Sequence, residues 1–352
     1  VRGDAPGKWH GASFLLVNFL GIYSVDKALS VFARLGKAAL VVLGVVVVNF
    51  LLIRLAPGDP AAVLAGESGA SDPTYVAQLR QEFGLDKPVY VQLASYLNGV
   101  AHLDLGYSYR ERLPVLDIIL DRLPATLLLM SCAFAFALVF GVLFGVVASR
   151  SRYQGTHPWL DSVLMTGSLL IYATPQFWLA LLAILFFSLH LGWLPPYGME
   201  TVGGALTGWA RVRDVAHHLV LPTASLGCFF MAVYARLTRA SMLEVLGMDF
   251  IKTARAKGVS VGGTIRHHAL RNALLPVVTF AGIQLGQMAG GAVLTETVFG
   301  WPGIGRLMFD ALLQRDYQLL LGVFLVTSTM VVVFNLLTDL AYRLIDPRIQ
   351  QA

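Results

Sequence analysis

Positive charge in this chain is concentrated in one place. Arg236, Arg239, Lys252, Arg255, Lys257, Arg266 and Arg271 fall within 36 residues of one another, in a protein of which only 13% is charged. The stretch 249–276, DFIKTARAKGVSVGGTIRHHALRNALLP, is a polar, basic island between two long apolar runs. The chemistry open to such a cluster is electrostatic docking and not bond-making. Within it, Thr253 to Gly258 reads as a short helical stretch closed by glycine, the usual residue at a helix C-terminus. Lys252, Arg255 and Ala256 share one side at i, i+3 and i+4. Ala254 and Gly258 fall on another side, where their small size leaves a surface that a partner can approach closely. On these residues alone, a docking helix and an inert charge anchor stand level.

Reactive constellations are missing from the rest. No segment has the G-x-x-x-x-G-K-[ST] pattern of a phosphate-binding loop, and there is no H-E-x-x-H, Cys-x-x-Cys or G-x-S-x-G. His217-His218 and His267-His268 are adjacent pairs, whose rings point about 100° apart on a helix and cannot share a metal; rings at a membrane boundary are the plainer reading. Cys132 and Cys228 sit alone in apolar runs and form no disulfide or zinc spacing. The other polar residues of interest lie in one apolar run, 272–299. Gly282, Gly286 and Gly290 recur every four residues, a strip on which another helix can pack. Gln284, Gln287, Thr295 and Glu296 share that run, and polar groups in lipid are costly unless they face a partner or water. Gln284, Gln287 and Glu296 are therefore candidates for a pathway or gate, with Glu296 near the outer end. Helix packing and an interfacial ion pair are the ordinary alternatives.

These residues are held by a chain built for lipid. Hydrophobic residues make up 56% of its 352 residues, and the mean hydropathy is +0.67, well outside the range of soluble domains. The net charge of +5 marks no nucleic-acid partner, because most basic residues edge the apolar runs. Six runs are long enough to cross a bilayer, near 36–55, 124–148, 160–189, 218–240, 272–299 and 319–344. The third carries Pro175 and is expected to kink or split. The fold class is an all-α polytopic membrane protein of about six transmembrane helices. Residues 12–23 are apolar but too short to span, and belong to an N-terminal extension, 1–30, of unassigned role; a signal peptide fits them poorly.

Basic residues flanking short loops stay inside. Arg34 and Lys37 before the first span, Arg150 and Arg152 after the second, the island after the fourth, and Arg343 and Arg348 at the end place both termini in the cytoplasm. The first span, 31–56, then leads into an external cap, 57–123. In that cap Ser71-Asp72-Pro73 starts a helix, Gly84 stops it and Pro88 begins the next. A core of five spans, 124–352, carries the cytoplasmic loop 241–271.

At the island the sequence resembles the membrane permeases of ABC importers. Thr253 and Ala254 stand at the alanine pair of their EAA loop, Gly258 at its glycine, and Leu275-Pro276 close it. Lys252 replaces the acidic residue and the Gly-to-Pro spacing is longer, both of which look like the dipeptide/oligopeptide/nickel branch. The likeness continues through Leu55-Ala56-Pro57-Gly58-Asp59-Pro60, Gly84-Leu85-Asp86-Lys87-Pro88, Asp104-Leu105-Gly106 and Arg122-Leu123-Pro124-Ala125-Thr126. It goes on through Thr174-Pro175-Gln176-Phe177-Trp178-Leu179, His218-Leu219-Val220-Leu221-Pro222, Trp301-Pro302-Gly303-Ile304-Gly305 and Asp346-Pro347-Arg348. It covers residues 31–350, and the long cap is similar to that of the first, B-type, subunit.

The resemblance implies a type I ABC importer fold in the bacterial plasma (inner) membrane. It implies as partners a second homologous permease, two cytoplasmic ATPase subunits and an extracytoplasmic substrate-binding protein. ATP and Mg would be used by the ATPases, and this chain would bind no cofactor and no metal and would not itself be an enzyme. Asp249, Lys252, Thr253, Ala254, Arg255, Ala256, Lys257 and Gly258 would form the helix that seats in an ATPase groove. Short peptides are the expected cargo, ahead of nickel or a metal chelate and then glutathione-like compounds. The rival class is an ion-gradient-driven secondary transporter, which calls for internal repeats and mid-depth acidic residues.

Overall fold

The computed structural model describes residues 36–52, 73–82 and 84–345, with the isolated positions 55, 62 and 65. The N-terminal extension with its apolar run 12–23, the end of the first span, the Ser71-Asp72 cap and the Asp346-Pro347-Arg348 ending lie outside the described residues.

The first apolar run forms α1 (Gly36–Leu52). The cap supplies α2 (Pro73–Glu82) and α3 (Val89–Ala101), then a two-residue hairpin, β1 (Tyr107–Ser108) against β2 (Leu113–Pro114). The helix α2 opens on its proline. It ends where Leu85 N–H reaches back to Arg80 O at 2.8 Å across Gly84, which sits at φ +63°, the left-handed turn that glycine adopts without penalty. Phe50 of α1 stacks on Tyr96 of α3 with ring centroids 5.9 Å apart, which ties the cap to the first span.

The core begins with α4 (Val115–Gln154), α5 (Pro158–Ala173) and α6 (Gln176–Ala183), the last running into a π-helical turn, Ile184–His190. It continues with α7 (Gly208–Leu246), α8 (Asp249–Ala256), a helical lead-in over 261–269, and α9 (Leu270–Phe299). It closes with α10 (Ile304–Gln314) and α11 (Tyr317–Ile345). At 40 residues α4 is about 60 Å long, twice the hydrocarbon thickness, so its ends project well beyond any membrane. Pro124, Pro222 and Pro276 lie inside α4, α7 and α9. Such prolines are tolerated in membrane helices, where neighbours re-satisfy the freed carbonyls.

Four helices are long and apolar enough to cross alone. The run 160–189 splits: α5 and α6 diverge by 106° at Thr174-Pro175. Pro175 offers no N–H, and its ring pushes Thr174 to the extended conformation, φ −81° and ψ 132°. That pair and the shorter α1 bring the apolar runs to the expected six.

The core forms where α4 and α7 run parallel. Ala133, Ala137, Gly141 and Gly145 place a small side every four residues on the buried face of α4. The backbones close in until a Cβ at Gly145 would stand 2.5 Å from Thr238 Cβ, and one at Gly141 2.6 Å from Tyr234 Cβ. From the other side, a Cβ at Gly227 would stand 2.6 Å from the Phe136 ring. Lipid gives helices no hydrophobic reason to associate, so close backbone approach is what binds them. In the antiparallel pair α9–α11, Gly282 leaves room for Thr338, whose hydroxyl donates to Gly282 O at 2.9 Å, and Gly286 faces Asn335 and Val331. Gly290 is exposed and a Cβ there would meet nothing, so the strip expected at 282, 286 and 290 works at its first two members only.

This geometry separates glycines that look alike in the sequence. Gly145→Leu is expected to destabilise the purified protein by about 1–3 kcal/mol or to abolish membrane accumulation. Gly290→Ala should leave the melting temperature unchanged or raised, since Ala is the better helix former. Thermal unfolding in detergent reads both.

Candidate functional site

The short helix α8 follows α7 after Gly247 and Met248. Asp249 lies in its first turn and Arg255 in its last, each sign at the end of the helix dipole that favours it. Its C-terminus closes as Val259 N–H reaches Ala254 O at 3.2 Å around Gly258, at φ +86°. Ser260 then starts the lead-in to α9, its hydroxyl accepting from Gly263 N–H at 3.2 Å.

One face of α8 is anchored. Ile251, 1% exposed, packs into a cluster with Met242, Val245 and Leu246 of α7 and Ile265, Ala269 and Ala273 of the α9 arm, and Ala254, 8% exposed, is buried on the same side. The helix is thus fixed to the ends of two membrane helices at once. The sequence reading put Ala254 with Gly258 on an approachable surface. The structure turns Ala254 inward, because it shares the buried side with Ile251 three residues earlier. Asp249, Phe250, Lys252, Thr253, Arg255, Ala256, Lys257 and Gly258 are exposed on the free side. There Lys252 Nζ pairs with Asp249 Oδ1 at 2.8 Å, one turn apart on the surface.

The basic island also divides. Lys252, Arg255, Lys257, Arg266 and Arg271 are exposed around α8. Arg239 instead faces α5, where its Nη2 donates to Asp161 Oδ2 at 2.7 Å and its Nε to Oδ1, a fork-on-carboxylate pair. Arg236 lies over the Tyr172 ring with its guanidinium carbon 4.5 Å from the centroid.

The candidates on α9 fall in three different settings. Gln287 is exposed, on a stripe with Thr279, Ile283, Gly290 and Leu294 that no other described element of the chain covers. Gln284 is turned inward and is 5% exposed. Glu296 is fully buried at the opposite end of the bundle from α8. The physical reason is α10. That helix starts after the extended Gly303, so its first N–H groups have no helical acceptors. Thr126 of α4 accepts from Ile304 N–H at 2.8 Å and donates its hydroxyl to Glu296 Oε1 at 2.7 Å, while Arg306 N–H donates to Oε2 at 3.1 Å. The carboxyl group serves as a cap borrowed from α9, placed at the positive end of the α10 dipole. Gly303 and Gly305 are small because a Cβ at either would press on Glu296 or on Val293. Trp301 seals the node by donating Nε1–H to Ala125 O at 2.8 Å.

An amphipathic basic helix clamped across two membrane helices, within a bundle of apolar spans, is the architecture of a membrane transport subunit. The chain belongs to the family described as binding-protein-dependent transport system inner membrane component, which it matches over residues 122–351. The N-terminal domain of the same systems matches over 29–130. It is therefore a membrane-embedded permease subunit of an ABC importer.

Among its relatives is the dipeptide transport system permease protein DppB of Escherichia coli (strain K12), 41% identical over 334 residues, which span 90% of this chain and 97% of that protein. DppB of Alkalihalophilus pseudofirmus is 40% identical over 88% of the chain and 96% of its own length. A putative peptide transport system permease of Brucella abortus is 41% identical over 90% and 97%. In fold, the chain is similar to the MetNI methionine ABC transporter in an inward-facing conformation. The TM-score is 0.53 at 17% identity, over 65% of this chain and 96% of that one.

Sequence reasoning passed over three parts of this arrangement. The spacing of Ala133, Ala137, Gly141 and Gly145 was there to be read on the same four-residue rule as 282–290. The Thr126–Glu296 contact and the Arg239–Asp161 pair join residues 170 and 78 positions apart, and no local pattern announces them.

Four substitutions at three positions check the geometry. Ala254→Trp has no space beneath α8 and should lower stability and membrane yield, whereas Ala256→Trp on the free side should leave both near wild type. Glu296→Ala removes the acceptor of the buried Thr126 hydroxyl and of the part-buried Arg306 N–H and should cost about 1–3 kcal/mol for each, with Glu296→Gln milder because its amide oxygen keeps one bond. Detergent melting curves distinguish all four outcomes.

Proposed function

We propose that this permease carries short peptides inward, that a soluble binding protein delivers them to the capped face, and that a partner ATPase drives the step through α8. The observation that carries the coupling role is the anchorage of α8. Ile251 packs it against both α7 and the α9 arm, while Lys252, Arg255 and Lys257 are exposed on the free side. A groove closing on that free side would move the ends of two transmembrane helices as one body. The peptide assignment is supported by relatives about 40% identical along nearly the whole chain, named for dipeptide or peptide transport.

In this reading the α8 end lies in the cytoplasm of a bacterium, both termini are on that side, and the α2–α3 cap and α10 face outward. The exposed charge on and after α8 supports this orientation. A second permease of the same kind covers the exposed stripe of α9, and two ATPase subunits hydrolyse ATP with Mg.

The test is uptake of a labelled dipeptide by proteoliposomes containing the whole complex, with its binding protein outside and ATP inside. Lys252→Glu combined with Arg255→Glu changes only exposed side chains. It should cut uptake roughly tenfold or more, the scale of a coupling free energy of about 1–3 kcal/mol, while ATP hydrolysis persists. Undiminished uptake in the double variant removes α8 from the coupling role. Wild-type vesicles that accumulate nickel and no dipeptide would overturn the peptide assignment.

A further inference from the structure

A charge stands inside the α7 span where the packing of the bundle does not need one. Residues 219–235 of α7 contain no charged side chain, and Arg236 is the first to follow. An arginine at a span end ordinarily extends toward the nearer water. Arg236 does the reverse. Its Nε donates back to Ala232 O at 3.3 Å, and its guanidinium lies 4.5 Å from the centroid of Tyr172, which in turn stacks on Phe229 at 5.0 Å. The charge is folded about a turn deeper than its own Cα, away from α8. Arg239, one turn closer to α8, is neutralised by Asp161, but among the described residues Arg236 pairs with no carboxylate.

The surroundings agree. Tyr172 is 42% exposed, and Ala173 and Pro175 beside it are exposed as well. They form the break at which α5 and α6 part by 106°. Irregular backbone at membrane depth is tolerated where protein buries it or where it lines a watery cavity, and here none of the described residues buries it. An unpaired guanidinium facing lipid is expensive for the same reason. Both features therefore point to one aqueous surface.

We propose that Arg236, seated on Tyr172 beside the α5–α6 break, is a carboxylate-binding station on the translocation route that takes the C-terminal carboxylate of a passing peptide. Guanidinium and carboxylate match in geometry and charge, and the aromatic ring holds the fork in place without neutralising it. This inference rests on the peptide-permease reading above.

The experiment uses the complete complex in nanodiscs, with Cys132→Ala and Cys228→Ala so that Tyr172→Cys supplies the probe thiol. Labelling rates are taken relative to the same complex retaining Tyr172. The thiol should react with an anionic and a cationic methanethiosulfonate reagent. The anionic-to-cationic rate ratio should fall about threefold or more when Arg236→Gln is added, as expected for a unit charge some 6 Å away even in water. L-Alanyl-L-alanine should slow the labelling and its C-terminal amide should not. With Tyr172 intact, Arg236→Gln should lower alanyl-alanine uptake by about tenfold, and Arg236→Lys should recover part of it. An unreactive thiol, a ratio indifferent to Arg236 (as when a partner subunit's carboxylate occupies it), or equal protection by the amide overturns the station while leaving peptide transport standing. Absence of alanyl-alanine uptake by the wild-type complex overturns the peptide reading and this inference with it.

Discussion

The close parallel contact of α4 with α7 is the interaction on which the rest of the molecule depends. In water the burial of apolar faces would assemble such a bundle, but in lipid the surroundings are as apolar as the helices. What remains is dispersion between surfaces that fit, and it grows steeply as backbones approach. The stripe Ala133, Ala137, Gly141 and Gly145 lets α7 come near enough that any side chain there would collide with it. Once α4 and α7 are joined, Leu129, Met130, Leu226, Phe230 and Tyr234 make a wall against which Ala281, Met288 and Ala289 of α9 pack. α11 then closes over Gly282 and Gly286 of α9. The order of dependence runs from small residues to helix pair to bundle.

Polar groups do a different task within this frame. The Thr126–Glu296–α10 node joins α4, α9 and α10 at one end, and Arg239–Asp161 joins α7 to α5 near the other. In a medium without water, each such group has to find a fixed partner or lose several kcal/mol, so the pairs select one arrangement of helices that dispersion alone would leave free to slide. The node also explains why a carboxyl group can lie at zero exposure in the core: it completes a helix terminus that would otherwise be a second unsatisfied site.

Much of this was legible in the sequence, and for physical reasons. Apolar run length set by bilayer thickness gave the spans. Pro175 marked the break, because a missing N–H and a bulky ring act locally. Gly84 marked the end of α2 because a left-handed turn is a property of one residue. The position of α8 followed from an abrupt return of charge. The burial of Ala254 did not, since Ala254 is distinguished from Ala256 only by where α7 and the α9 arm lie. Glu296 was a candidate gate, with an interfacial ion pair as the alternative, because a carboxylate in an apolar run is costly. The cost was real, but it is met by α10, an element whose docking has no local signature. The same limit applied to Gly290, identical in spacing to Gly282 and Gly286 yet opposite nothing among the described residues.

The placement of these parts also decides how motion can travel. α8 is short and would be a weak lever if it hung from a flexible loop. Instead its buried side is continuous with α7 on one flank and the α9 arm on the other, and each of those helices packs a face into the core. A displacement at Arg255 therefore cannot be absorbed locally; close-packed interiors shift between discrete arrangements and do not deform smoothly. The rigid node at Glu296 holds α4, α9 and α10 together at the far end, so α9 links the two ends of the bundle. The irregular element is the α5–α6 pair, whose break leaves backbone and aromatic surface open beside Arg236. A rigid frame with one bent, exposed break is what the proposed coupling through α8 would require.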